Sequence, residues 1–392
     1  MTALSLLAPP SLAAADARNH REAGAACSNA TLPPSPVDSS EVPPPGEPTP
    51  DPLPVPDEPP GGERMGACGV VAPPQAPPPP PEVGAKGWVV AELGSGDVLA
   101  ARNPHGRYRP ASVIKILTAL VAVRELELSD EITATRADAA TEGSSVGLEP
   151  GVTYTARQVL TGLILQSGND AAHALARELG GRRETVRRMN ELARRLGATD
   201  TRAATVSGLD GPGMSTSAYD LALILRAAMA NPEFAEIAST RRAELPTPPG
   251  QPPLRIASDS DVAMNYPGAL FGKTGFTDDA RHTRVVAAER GGHRLVAVLL
   301  RGEHRPVEMS EQAAALLDHG FRLTERGKVG ELAAPRTTTS ATPDARRTAE
   351  SPRQAAGSDE SRGIPPVLGF LGTLLAALAV LTTVVLHRRK SR

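Results

Sequence analysis

Cysteine is scarce in this chain of 392 residues, which has two, Cys27 and Cys68. Both lie in the N-terminal part, so the chain has neither a Cys-x-x-Cys motif nor cysteines spaced for zinc. The two could pair in an oxidising compartment, or processing could remove one; the sequence leaves both open. The 8 histidines include no His-Glu-x-x-His motif, and we expect no metal and no cofactor.

Excess charge is also lacking, because 42 Lys and Arg residues nearly balance 44 Asp and Glu residues and leave a net charge of -2. A protein that holds nucleic acid by neutralising phosphates needs a clear positive excess. The clusters Arg182-Arg183 and Arg187-Arg188 lie just before and within a predicted helix, where a solvated basic face is the simplest interpretation. The composition therefore argues against a nucleic-acid partner.

Large apolar residues are sparse in the N-terminal region, where 20 of the 39 prolines fall between Pro33 and Pro81. Such a segment cannot offset its chain entropy with a core, and it favours extended polyproline conformations. We therefore expect a disordered, Pro-rich spacer over residues 31–83. Residues 1–30 contain a short apolar stretch with no preceding Lys or Arg, which fits either a degenerate export signal or a disordered terminus.

Hydrophobic periodicity begins near Gly87, and it predicts one globular domain over residues 86–324. Strands are expected at 88–93, 98–101, 268–274, 283–288 and 294–300. Helices are expected at 112–126, 158–165, 171–179, 184–196, 215–230 and 306–321. The predicted fold class is α/β (α+β), with an antiparallel sheet built from both ends of the domain and an all-helical lobe inserted between them.

The C-terminal region contains a run of 20 uncharged residues at 367–386. A helix of that length is about 30 Å long, which matches the hydrocarbon core of a bilayer. The basic tail at 387–392 follows at once, and the positive-inside rule puts it in the cytoplasm. We therefore predict a disordered linker at 325–366, one transmembrane helix, and a globular domain on the outer side of the cell membrane.

Three short motifs then occur in order: Ser112-Val113-Ile114-Lys115, Ser167-Gly168-Asn169 and Lys273-Thr274-Gly275. The first puts a serine and a lysine one turn apart on one helix face, as a nucleophile and its base require. The second interrupts a predicted helix, and the third lies on a predicted strand. Each motif is common by chance, but the combination is specific.

This order resembles the trio of the penicillin-binding proteins and class A β-lactamases. The chain also resembles the low-molecular-mass penicillin-binding proteins, which are serine-type D-Ala-D-Ala carboxypeptidases of the peptidase S11 type. The residues that carry this further resemblance are Gly168, Ser207-Gly208-Leu209-Asp210 and Tyr266-Pro267-Gly268. The stretch at Ser258-Asp259-Ser260-Asp261 has fewer asparagines than is usual there. The resemblance implies a β-lactamase/transpeptidase-like fold, peptidoglycan stem peptides ending in D-Ala-D-Ala as substrates, and β-lactams as covalent inhibitors.

The resemblance also implies the catalytic roles. Ser112 would be the acyl-ester nucleophile, and Lys115 would be its general base. Burial and the nearby cation Lys273 would both lower the pKa of Lys115. Ser167 would relay a proton toward the leaving amine, and Asn169 would orient Lys115 and the substrate amide.

Further roles concern substrate binding. Lys273 and Thr274 would hold the terminal carboxylate of the substrate, and Gly275 would let the strand lie close to it. The backbone N–H of Phe276 would complete an oxyanion hole with that of the nucleophile. Arg301 would either assist in holding the carboxylate or be a surface arginine.

Two alternatives belong to other classes. A β-lactamase of class A would carry a Glu-x-x-Leu-Asn pattern before the third motif, and none occurs between Gly197 and Gly250. A catalytically silent wall-binding protein of the same fold would not need the complete catalytic set that this chain has. The sequence favours the carboxypeptidase and leaves open the oligomeric state and any transpeptidase or endopeptidase activity.

Overall fold

The computed structural model describes Cys27 and residues 29–332. The predicted transmembrane helix at 367–386, the tail at 387–392 and most of the linker at 325–366 lie outside these residues, as does nearly all of the segment 1–30. Within the described part of the chain, no helix has both the length and the hydropathy that a bilayer span requires.

Strands come mainly from the two ends of the described chain, and helices come from its middle. The strands are β1 (Val70–Val71), β2 (Gly87–Glu92), β3 (Asp97–Arg102), β4 (Glu131–Thr133), β5 (Thr153–Thr155), β6 (Arg242–Leu245), β7 (Leu254–Ala257), β8 (Ala269–Thr277), β9 (Arg281–Arg290), β10 (His293–Gly302) and β11 (Gly330–Glu331). The helices are α1 (Lys115–Glu125), α2 (Arg136–Ala139), α3 (Ala156–Leu165), α4 (Asn169–Glu178), α5 (Arg182–Leu196), α6 (Ala218–Met229), α7 (Pro232–Ser239), α8 (Asp261–Asn265) and α9 (Met309–Phe321).

One antiparallel sheet joins the two ends in the strand order β1–β3–β2–β10–β9–β8, and β11 also pairs with β3. β2 is the junction, because Trp88 pairs with Leu299 of β10 and with Arg102 of β3. Alternate residues of β2 enter different cores: Trp88 packs on the side of α9, and Val89 packs under the helical lobe. The predicted antiparallel sheet is therefore confirmed.

α1 lies at the centre of the lobe, and every residue from Lys115 to Val123 is buried. This fits a helix with apolar side chains on all sides. Side-chain caps begin the neighbouring helices: Thr155 and Gln158 form a capping box ahead of α3, and Ser217 caps α6. The packing of these helices fixes the start of α1 beside the sheet.

The sequence predicts an all-helical lobe, but the structure differs. The lobe also contains two small hairpins. β4 pairs with β5, and β6 pairs with β7, both antiparallel. The strands of the first hairpin have 3 residues each and those of the second have 4. Such strands are too short for an alternating pattern to be recognised in a sequence.

The Pro-rich segment 31–83 also differs from its prediction as a disordered spacer, because it lies against the domain. A disulfide joins Cys27 to Cys68, and β1 pairs with the edge strand β3. Arg107 of the domain donates hydrogen bonds to the backbone carbonyls of Thr31, Leu53 and Pro54. Proline removes backbone donors but leaves carbonyl acceptors, so charged donors of the domain can hold a segment that has no core of its own.

The first residues of the predicted linker 325–366 also belong to the fold. Val329 donates its backbone N–H to Val98, and Gly330 pairs with the same residue across β11 and β3. Arg226 donates to the carbonyl of Leu332 at 2.9 Å. The composition misplaces this boundary because a two-residue edge strand carries no periodic signal.

The disulfide leads to a prediction about the docked N-terminal segment. The bond closes a loop with a sequence separation of 41, so replacing both Cys27 and Cys68 by Ser should weaken docking by about 4 kcal/mol on the chain-entropy model. Limited proteolysis with mass spectrometry would measure cleavage between residues 31 and 66. The oxidised wild type is the control, and equal protection of both proteins would contradict the prediction.

Candidate active site

Ser112 lies in a tight turn between the sheet and the lobe. The 3-10 turn Ala111–Ile114 leads directly into α1, and Ala111 has a left-handed φ of 50°. A Cβ on Gly208 would lie 2.1 Å from the Ala111 carbonyl oxygen, and a Cβ on Gly275 would lie 3.0 Å from the Ser112 nitrogen. Only glycine allows both approaches, so the turn is enclosed between the 207–208 loop and β8.

Lys115 meets Ser112 as the spacing predicts. Its Nζ donates to Ser112 Oγ at 2.8 Å and to the Ser207 carbonyl at 2.6 Å. Lys115 is fully buried, and burial, followed by the charge of Lys273, holds the pKa of Lys115 well below its usual value. The ammonium form of Lys115 is therefore destabilised relative to the neutral amine beside the hydroxyl.

Lys273 and Thr274 lie on β8 together with the Gly275 that faces Ser112. Lys273 is fully buried and donates to the Thr274 carbonyl at 3.1 Å. Burial lowers the pKa of Lys273, and the carboxylate of Asp259 opposes that shift. The site thus contains two buried amines on separate elements.

Asp259 is a site residue that the sequence analysis did not identify. Its Oδ2 accepts from Thr274 Oγ1 at 2.9 Å and lies 3.9 Å from Lys273 Nζ. The two groups predicted to hold the carboxylate of a substrate therefore hold a carboxylate of the protein here. The unusual composition of the stretch around Ser258 was the available signal, but composition does not show which side chain faces Lys273.

Ser167 lies in the break between α3 and α4, and Asn169 is the first residue of α4. Ser167 has a left-handed φ of 58° and is 3% exposed, and its Oγ has no hydrogen-bond partner among the described residues. Asn169 donates from Nδ2 to the Glu142 carbonyl at 2.6 Å, and its buried Oδ1 is also without a partner there. Within the described chain, Asn169 therefore makes no hydrogen bond to Lys115, in contrast to the role that the resemblance implies.

Asp170, the next residue, was also missed. Its buried carboxylate accepts from the backbone N–H groups of Val146, Gly147 and Leu148 at 2.9 to 3.0 Å. A Cβ on Gly168 would lie 2.5 Å from Asp170 Oδ1 and 2.3 Å from Val146 Cγ2. Gly168 is therefore required by this clamp, which fixes the loop beside the break.

Phe276 and Arg301 occupy different positions. The ring of Phe276 is 47% exposed and lies 4.6 Å from the ring of His282, centroid to centroid. Arg301 donates to the Asp279 carbonyl at 2.9 Å, beyond the end of β8. The arginine opposite Thr274 in the strand register is Arg284, and among the described residues Arg301 makes no hydrogen bond or ion pair with Lys273 or Thr274.

Comparison with known proteins identifies the family. The model of Peptidase_S11, D-alanyl-D-alanine carboxypeptidase, matches residues 74–304. D-alanyl-D-alanine carboxypeptidase DacB2 of Mycobacterium tuberculosis is 49% identical over 257 residues, which cover 64% of this chain and 87% of the relative. DacF of Bacillus subtilis, with the same activity in its name, is 31% identical over 243 residues, or 60% of this chain and 62% of the relative.

Solved structures agree with this match. A crystal structure of D-alanyl-D-alanine carboxypeptidase from Mycobacterium tuberculosis H37Rv has a TM-score of 0.64 at 47% identity, covering 67% of this chain and 99% of the other. The Streptomyces K15 DD-transpeptidase has a TM-score of 0.58 at 28% identity, covering 62% and 99%. With its penicillin-binding-protein-like α/β fold, the chain belongs to the D-alanyl-D-alanine carboxypeptidases of peptidase family S11, which are serine hydrolases.

Proposed function

We propose that the protein removes the terminal D-alanine from peptidoglycan stem peptides through an acyl-enzyme on Ser112. The observation that supports this most directly is the 2.8 Å contact between Ser112 Oγ and the buried Nζ of Lys115. A serine hydroxyl becomes a nucleophile when an adjacent base can take its proton. The lowered pKa of Lys115 makes it such a base.

The proposed reaction begins when Ser112 Oγ attacks the carbonyl carbon of the penultimate D-alanine, and the hydroxyl proton passes to neutral Lys115. The backbone N–H groups of Ser112 and Phe276 stabilise the resulting oxyanion. The C–N bond then breaks as Ser167 gives its hydroxyl proton to the leaving D-alanine amine and takes up the proton that Lys115 had accepted. Water hydrolyses the ester and releases the shortened peptide.

Binding of the substrate's terminal carboxylate is assigned to Lys273 and Thr274. The contacts of Thr274 Oγ1 and Lys273 Nζ with the Asp259 carboxylate, at 2.9 and 3.9 Å, support this assignment, because a substrate carboxylate would use the same two donors. A β-lactam presents a carboxylate and a strained amide in the same way, so it acylates the same serine. The Oδ1 of Asn169, which has no hydrogen-bond partner among residues 29–332, would accept from a substrate amide.

The proposed location is the cell membrane, with the domain on its outer side. The uncharged run at 367–386 and the basic tail at 387–392 support an anchor. The Cys27–Cys68 disulfide supports an extracytoplasmic domain, since such bonds persist in oxidising compartments.

Replacing the nucleophile tests the proposed function. We expect Ser112→Ala to abolish covalent labelling by a fluorescent penicillin and to lower D-Ala-D-Ala peptide turnover by about 10⁶-fold. Ser239→Ala, at an exposed serine at the end of α7, is the matched control and should label like the wild type. A wild type that neither labels nor releases D-alanine would refute the assignment, and rapid turnover of the penicillin would favour a β-lactamase.

The charge on Asp259 should affect both substrate binding and the acid limb of the pH profile. Acylation should rise with pH as Lys115 loses its proton. Asp259 raises the pKa of Lys115, so Asp259→Asn should move this limb to lower pH. It should also lower KM for a carboxylate-terminated peptide by about tenfold, or about 1.4 kcal/mol, near the net value of one charge-assisted hydrogen bond.

Asp261→Asn is the control for that measurement, because Asp261 lies two residues further on and is exposed. Its pH profile and KM should match those of the wild type. Identical profiles for all three proteins, measured from pH 4 to 9, would remove Asp259 from the binding site.

Removing the proposed anchor tests the location. A chain truncated before residue 367 should move from the membrane fraction to the soluble fraction and keep its penicillin labelling. A chain lacking only 387–392 is the control and should remain with the membrane. Recovery of the full chain in the soluble fraction would contradict the anchor.

A further inference from the structure

The docked Pro-rich segment is unexplained by the family chemistry. We name residues 29–69 the N-terminal strap; they precede the matched family segment at 74–304. The strap is nevertheless attached to the domain by hydrogen bonds and an ion pair, and it ends at the Cys27–Cys68 disulfide. Its attachment points concentrate on the residues that lead to Ser112.

Arg107 is the first attachment point and is 1% exposed. Its Nε donates to Asp200 at 3.0 Å, whereas its two terminal nitrogens donate to strap carbonyls at 2.6 to 2.8 Å. A buried guanidinium that loses such acceptors keeps its charge and pays the full desolvation penalty. Arg107 therefore depends on the strap for three of these four hydrogen bonds.

Arg109 is the second attachment point and is 2% exposed. It forms a bidentate ion pair with Glu41, through Nε and Nη2, and donates from Nη1 to the Pro34 carbonyl at 2.6 Å. The side chain of Glu41 is 16% exposed, so the pair is largely shielded from solvent. Such bidentate pairs fix geometry as well as charge.

The strap also holds the loop that follows β8. The backbone N–H of Val37 donates to Asp279 Oδ1 at 2.5 Å, and Ser40 Oγ lies 3.4 Å from Asp279 Oδ2. Asp279 is buried and lies 4.0 Å from Arg109. The strap therefore connects the segment that leads into Ser112 with the loop that follows Phe276.

These two segments adjoin Ser112 and Phe276, whose backbone N–H groups are assigned to the oxyanion hole. Ala111, between Arg109 and Ser112 in the sequence, has a left-handed φ of 50°. A non-glycine residue keeps such a conformation only where its surroundings over-determine it. Displacement of either segment would misplace a backbone N–H donor that must point at the developing oxyanion.

We propose that the strap, acting through the Glu41–Arg109 pair, positions the two halves of the oxyanion hole, and that Glu41 is a positioning residue. This inference rests on the proposed acyl-enzyme function of Ser112. It predicts that loosening the strap slows acylation at each site without reducing the number of sites that react.

The test uses the full chain and a fluorescent penicillin. We expect Glu41→Gln to lower the second-order acylation rate constant by about tenfold and Glu41→Ala by more. Complete loss of one oxyanion donor lowers the rate by about 10²–10³-fold, and a misplaced donor should cost less than a missing one. Labelling at saturation should stay near one penicillin per chain for both. Glu47→Gln, at an exposed strap position, is the matched control and should react like the wild type.

Three outcomes would overturn the inference: unchanged rates in both Glu41 variants, a fall in labelling stoichiometry that matches the fall in rate, or an equal loss in Glu47→Gln. If the Glu41 variants do not fold, the wild type with its Cys27–Cys68 bond reduced is measured instead, and an unchanged rate constant there would also overturn it. A wild type that never labels would instead refute the acyl-enzyme itself, so the two failures are distinguishable.

Discussion

The burial of two amines in one site is the constraint on which the catalytic geometry depends. Lys115 and Lys273 are both fully buried, and the charge of Lys273 lowers the pKa of Lys115 beyond the effect of burial. Two adjacent ammonium groups out of water repel each other, and the Asp259 carboxylate lies 3.9 Å from Lys273. Burial and mutual repulsion therefore disfavour a charge on both amines at once, and the Asp259 carboxylate favours a charge on either one.

Close backbone approaches create this arrangement. Gly208 and Gly275 let two segments touch the Ser112 turn, and Gly168 leaves room for the Asp170 carboxylate beside Val146. Each glycine gives up side-chain packing in order to bring together backbone groups that are distant in the sequence. Two of the three motifs thus meet at the Ser112 turn through glycine contacts, and Gly168 of the remaining motif makes room for the Asp170 carboxylate beside the break between α3 and α4.

The sequence predicted the parts of the site whose geometry is local or periodic. Ser112 and Lys115 meet because a helical turn separates them, and the sheet follows from alternating strands at both ends. Asp259 and Asp170 could not be placed, because their partners are set by a tertiary contact and by a loop conformation rather than by spacing. The small hairpins and the edge strand β11 were missed because two to four residues carry no detectable period.

The strap shows why composition alone misjudged the N-terminal region. Apolar content measures whether a segment can bury its own side chains, and residues 31–83 cannot. Arg107 and Arg109 supply the stabilising interaction from the other side, because a buried guanidinium needs acceptors and a proline-rich chain has many free carbonyls. Because these two arginines lie within five residues of the nucleophile, the conformation of the strap and the conformation of the Ser112 turn depend on each other. The functional unit therefore begins well before the segment that the family shares.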